Sequence, residues 1–247
     1  IMSKGFFKHI PNIAYDFKSD GNFYLAKDLF RKVSTFSYLK QNITGYEYYR
    51  VIDGERPDVV ASKLYGDSTL YWTFYLVNEN LQDTNDWPKS NSLLKKFVAR
   101  KYPGTALIAS DSTDIVSYNH DTNVSSKFLL GEKVSVPNGA FGFVTKVDPT
   151  FNRIVINSTS GTIESGVVVT GEKSSKSFTI SSVASEKDTV KHYLDSNDIK
   201  TLSSSGNTPV SFEEDERLKN DDKALIRYVQ PRYINQVVKE FIELVRD

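Results

Sequence analysis

The chain contains no cysteine, so neither a disulfide framework nor a thiolate metal site is available to it. That absence fits synthesis in a reducing cytoplasm. Histidine is scarce: His9, His120 and His192 are the only three, and none has a second ligand at the spacing of a helical metal site. Net charge is absent as well, because 31 Lys and Arg balance 31 Asp and Glu. Without a long basic run, the chain lacks the electrostatic footprint of a nucleic-acid binder, and no such partner is expected. No stretch approaches about 18 consecutive apolar residues, so no membrane-spanning helix is expected either.

Catalytic motifs are missing too. No Gly-x-Ser-x-Gly elbow and no HExxH-type pair occurs. Gly139-Ala140-Phe141-Gly142 lacks the Lys and Ser/Thr of a phosphate loop and reads as a tight turn or bulge. Asp195-Ser196-Asn197-Asp198 is oxygen-rich but lacks the remaining ligands of a calcium loop, and reads as a solvated turn. The acidic run Glu213-Glu214-Asp215-Glu216 reads as a solvated helix start. No catalytic residue, metal or cofactor is assigned, and the chain is not expected to be an enzyme.

Aromatic residues are abundant, with 14 Tyr, 15 Phe and 2 Trp, and they crowd the first 100 positions. Such side chains carry large buried area in cores and interfaces alike. Residues 1–45 hold Phe6, Phe7, Tyr15, Phe17, Phe23 and Tyr24 with little periodicity, and Ala26 to Val33 has the spacing of a short helix. The region reads as an extended arm, docked either on a partner or on its own domain.

Tyr46 to Ile52 has strand propensity and is followed by an Asp53-Gly54 turn. Pro57 suits the first position of a helix, whose apolar face is Val60, Ala61 and Leu64 and whose stop is Gly66. A second helix is expected over Leu70 to Val77, capped by Asp67 or Ser68 and ended by Asn78. It is apolar almost all round, so it must be covered on several sides. Tyr71, Trp72 and Tyr75 join Phe6, Phe7, Tyr15 and Phe17 as candidate protein-contact residues. A third helix carries Leu93, Leu94, Phe97 and Val98 and ends at Tyr102-Pro103-Gly104.

From residue 105 to 183 short alternating runs replace the helical period. They are Ile115–Tyr118, Lys133–Val136, Phe143–Val147, Arg153–Ile156, Val167–Val169 and Phe178–Ile180. Close spacing with turn residues between them predicts a small antiparallel barrel or sandwich. Residues 184–222 read as a polar connector with a Ser203–Asn207 loop. Residues 223–247 read as a strand, Ala224 to Val229, then a helix with Ile234, Val237, Val238, Phe241, Ile242 and Val245 on one face. That helix lies in the core or on a neighbouring subunit.

Tyr49-Arg50-Val51, Gly54, Ala61, Tyr65-Gly66, Trp72 and Asn78 resemble a LysM module, which residues 46–104 would form. The glycan-binding loops of that family would fall at Gly54, Glu55 and Arg56 and at Asn78 and Asn80. Gly54-Glu55-Arg56 departs from the usual Gly-Asp-Ser/Thr, and no closing strand follows at the usual distance. A fuller resemblance lies in Arg56-Pro57, Leu64-Tyr65-Gly66, Leu70-Tyr71-Trp72, Asn78-Glu79-Asn80, Trp87, Asp28-Leu29-Phe30-Arg31, Ile226 to Pro231 and Ile234-Asn235. Together they look like the LysM-like baseplate wedge protein of T-even-type contractile-tailed phages. The resemblance covers about residues 5–102 and 213–247, leaving the β-rich middle as a variable insertion.

The resemblance implies an α+β fold with an aromatic N-terminal arm, a LysM-like module, a β-barrel or sandwich insertion and a C-terminal amphipathic helix. It also implies a virion structural role, with other wedge proteins and neighbouring wedges as partners, in several copies around a six-fold ring. A LysM-type peptidoglycan-binding role on a phage tail is the alternative. Tyr46–Ile52 alone would leave a strand unpaired, so Leu225–Val229 is expected to pair with it.

Overall fold

The computed structural model describes Lys8 and residues 10–28, 45–109, 127–202 and 205–246. In chain order its elements are β1 (Asn12–Tyr15), β2 (Tyr24–Lys27), β3 (Tyr46–Arg50), α1 (Pro57–Tyr65), α2 (Trp72–Val77), α3 (Asn91–Lys101) and β4 (Thr105–Ala109). Then come β5 (Lys133–Ser135), β6 (Phe141–Asp148), β7 (Arg153–Ser160), β8 (Val168–Gly171), β9 (Ser177–Ser185) and β10 (Val190–Leu194). The last are β11 (Lys200–Thr201), β12 (Thr208–Ser211), α4 (Phe212–Ala224), β13 (Leu225–Val229) and α5 (Ile234–Arg246). Two compact units result, one of residues 1–91 with 219–247 and one of residues 92–218.

The first unit is tied together across a long gap in sequence. β13 pairs antiparallel with β3, with Arg227 opposite Tyr48, which is the ladder the sequence called for. Helix α1 begins at Pro57 and stops at Gly66, whose φ of 69° is a left-handed cap that favours glycine. The expected continuous second helix is broken. Asp67 caps a short 3₁₀ turn over Ser68–Leu70 by accepting from the Thr69 N–H, and α2 starts only at Trp72. Its apolar surface is covered within its own unit. Trp72 and Leu70 pack with Ile10, Val229 and the buried stripe of α5, while Phe74 packs with Val60, Leu81, Trp87 and Ile226. The α5 stripe Ile234, Val237, Val238, Phe241 and Val245 is therefore core, as its period suggests.

Two asparagines staple the returning segment. The Asn78 carboxamide donates to the Arg227 carbonyl at 2.8 Å and accepts from the Arg227 N–H at 2.8 Å. Asn220 does the same to Lys89, accepting at 2.7 Å and donating at 3.0 Å. Each amide acts as one rung of a ladder for backbone that would otherwise lack a partner.

The second unit contains a closed six-stranded barrel, in the order β4-β7-β6-β5-β8-β9. The barrel alternative thus stands over the sandwich. Its core is Leu107, Val134, Val144, Ile154, Ile156, Val169 and Ile180 with Phe128 and Phe178. Strand β4, absent from the sequence reading, closes it by pairing with both β7 and β9. The expected strand Ile115–Tyr118 lies outside the described residues. Gly139 turns at φ 83°, and β6 has a register shift beside Gly142, in line with the turn-or-bulge reading.

Residues 184–222 are a correction. The expected polar connector carries a three-stranded sheet, β11-β10-β12, and most of α4. The acidic helix start is not wholly solvated either: Asp215 and Glu216 are buried. Asp215 pairs with Lys191 at 2.5 Å, and Glu216 accepts from Lys101 and from the Tyr102 hydroxyl, both at 2.9 Å.

Candidate protein interface

Within the region expected as an arm, residues 12–27 form a hairpin. Ile13 pairs with Ala26 and Tyr15 with Tyr24. Ala26 and Lys27 are strand and Asp28 is not helical, so the expected helix does not begin there, and residues 29–33 lie outside the described residues. The base is fixed by the Asp28 N–H donating to the Pro11 carbonyl at 3.0 Å and by the Lys27 ammonium donating to the Ile10 carbonyl at 2.8 Å.

Asp16 organises the loop between the strands. Its carboxylate accepts from the Gly21 N–H at 2.8 Å, from Lys18 at 3.1 Å and from Asp20 at 3.3 Å. The Gly21 bond, above all, holds the Asp16 carboxyl below its ordinary range. Gly21 sits at φ 82°, a conformation that a larger residue resists.

This loop presents apolar rings to solvent. Tyr15 meets Phe17 edge-on at 5.0 Å, and Phe17 meets Tyr24 at 6.2 Å. Phe17 is 64% exposed, Phe23 69% and Leu25 80%. Exposed apolar side chains grouped on a short, fastened hairpin make it a candidate contact surface. Tyr24 joins that ring cluster, while Phe23 and Leu25 are exposed beside it, Leu25 on the other face of the hairpin.

The other candidates fall elsewhere. Phe6 and Phe7 lie outside the described residues. Trp72 is 4% exposed, with its ring 4.5 Å from that of Phe241, so it serves the core. Tyr71 and Tyr75 are half-buried against the same unit's core. Burial pushes the Tyr75 hydroxyl up to about 12.

Of the loop residues expected by resemblance, two have structural employment. The Glu55 carboxylate accepts from the Tyr49 hydroxyl at 2.8 Å and the Ile52 N–H at 3.0 Å, and it pairs with Lys63. Burial pushes its pKa up, but Lys63 and the Ile52 N–H outweigh that and leave it lowered. The Trp87 indole N–H donates to the Glu55 carbonyl at 2.7 Å. Asn78 is buried on the β13 edge. Gly54, Arg56 and Asn80 remain exposed.

Among the described residues, no group of three or more His, Cys, Asp or Glu is placed to hold a metal ion. No described helix is long and apolar enough to cross a membrane. What the first unit does present is a hairpin with exposed apolar side chains, fastened through Asp16. Comparison with known families gives the kind of protein. The model of a phage family described as base plate wedge protein 53 matches residues 2–128, just over half of the chain, and the chain belongs to that family. It is thus a structural protein of the phage tail baseplate, located in the virion. Among curated proteins none matches.

Proposed function

We propose that the protein is a baseplate wedge subunit that joins neighbouring wedge proteins through direct contacts, with the β1–β2 hairpin as a docking element. The supporting observation is the exposed ring cluster Tyr15, Phe17 and Tyr24 on the fastened hairpin, with Phe23 and Leu25 also exposed beside it. Ordering a flexible segment on binding costs affinity, and a loop already held by Asp16 avoids most of that cost. The wedge of a contractile tail of the T-even type, in several copies around a six-fold ring, is the setting the resemblance supplies. Residues 46–104 would form a LysM-like module turned from glycan to protein recognition. Synthesis in the host cytoplasm accompanies this reading.

The test is genetic complementation. A Phe17→Ser, Leu25→Ser double variant should fold normally but enter tails poorly. About tenfold fewer infectious particles would match the loss of roughly 1.4 kcal/mol of binding per site. Normal incorporation and normal titre would reject the hairpin as a docking element.

A further inference from the structure

We propose that the outer edge of β3 receives an extended segment of another baseplate protein, which adds a third strand to the β3–β13 sheet. The inference rests on the wedge-subunit reading only for the source of that segment.

The ladder fixes which backbone groups are available. Arg227 gives both its N–H and its carbonyl to Asn78, so Arg227 and Tyr48 form a non-hydrogen-bonded pair. The Val51 N–H reaches the Ala224 carbonyl at 2.8 Å, and the Gln230 N–H reaches the Gly45 carbonyl at 2.9 Å. Alternation then places the exchanges with β13 at Glu47 and Tyr49. The N–H and carbonyl groups of Tyr46, Tyr48 and Arg50 point away from β13.

The two edges of this sheet are treated differently. Asn78 closes the β13 edge at Arg227. On β3, no strand among the described residues pairs with the outer edge. The run Tyr46-Glu47-Tyr48-Tyr49-Arg50 contains no proline, and its pairing with β13 has no register shift. Proline and a bulge, two common devices that blunt a sheet edge, are thus missing from β3, although it is short and carries Glu47 and Arg50. Such an edge binds an extended peptide through its main chain, while side chains set the choice of partner.

The neighbouring face states that choice. Tyr48 is 66% exposed and Ile52 62%, and Leu225 is half exposed across the ladder. Arg50 and Arg227 are exposed among them. A segment of about five residues, with apolar and acidic side chains turned to this face, matches both the grease and the charge.

Amide exchange on the intact chain, free and within purified tails, tests the proposal. The Tyr48 and Arg50 amides should exchange fast in the free chain and at least about tenfold slower in tails, a factor worth about 1.4 kcal/mol of protection. The Tyr49 amide, inside the ladder, should be slow in both and reports that the sheet is intact. Tyr48→Pro, which removes a donor that β13 does not use, should lower incorporation into tails about tenfold. Tyr48 and Arg50 amides exchanging equally fast in both states, or already slow in the free chain, would overturn the edge proposal alone. Absence of the chain from purified tails would overturn the wedge-subunit reading and this inference with it.

Discussion

At the scale of single residues, polar side chains with backbone partners do work that composition hides. Asn78 is the clearest case: its carboxamide also donates to the Phe74 carbonyl at 2.8 Å while it pairs with Arg227, 149 positions away. Asn78→Ala should destabilise the chain by about 2–3 kcal/mol, the cost of buried backbone groups left unmet. Asn78→Asp should be at least as harmful despite its size, because a carboxylate would face two carbonyl oxygens. Urea denaturation of the whole chain decides between them, and a neutral Asn78→Asp would contradict the assignment. Glu132 is comparable in the barrel. It is fully buried, and it accepts from the Leu129 N–H at 2.7 Å, Ser174 at 3.0 Å and Lys173 at 3.3 Å. Burial raises its pKa, but the Ser174 and Leu129 amides outweigh burial and leave it below the ordinary 4.5. A depressed carboxyl pKa stabilises the fold above the unfolded value, and that stability is lost as pH falls through the folded value. Barrel stability should thus decline on acidification below about pH 4.5, and Glu132→Gln should flatten that decline. An unchanged pH profile in the variant would reject the role.

Elements show why some of the fold could be read and some could not. Helices α1 and α5 announced themselves through Pro57, Gly66 and the stripe from Ile234 to Val245. Pairing of β3 with β13 followed from the need for a second strand. By contrast, α4 has no apolar stripe to read: its buried positions are Asp215 and Glu216, neutralised by lysines from distant elements. Strand β4 was hidden because Ala106 and Leu107 are both buried, which erases the period of two. Hairpin β1–β2 has four-residue strands and an eight-residue loop, longer than usual hairpin connections, and bonds from its backbone to the Asp16 and Asp20 side chains shape the turn. The interface candidates split along the same line. Phe17 is exposed and Trp72 is core, a distinction of tertiary context that no local pattern carries. Trp72→Ala should therefore cost about 3–5 kcal/mol in thermal or urea denaturation. Phe17→Ser should change stability by no more than about 0.5 kcal/mol. Equal losses would show that the hairpin tip is part of the core.

For the whole molecule, the order of the chain and the order of the folding units differ. The first unit needs residues 219–247 to supply β13, α5, and the Asn220 and Lys223 contacts to Lys89 and Asp86. The second has its own closed barrel and its own core between residues 92 and 218. A fragment of residues 92–218 should therefore unfold cooperatively by itself. Residues 1–91 alone should not, because β3 would lose its partner. A cooperative transition in the 1–91 fragment, or none in the 92–218 fragment, would contradict this division.

The proposed docking role requires that another chain cover the exposed hairpin in the assembled tail. An electron cryomicroscopy map of the assembled tail measures this most directly. Phe17, Phe23 and Leu25 should lie buried there against a neighbouring baseplate protein. A map showing the hairpin tip facing open solvent in every copy would contradict it.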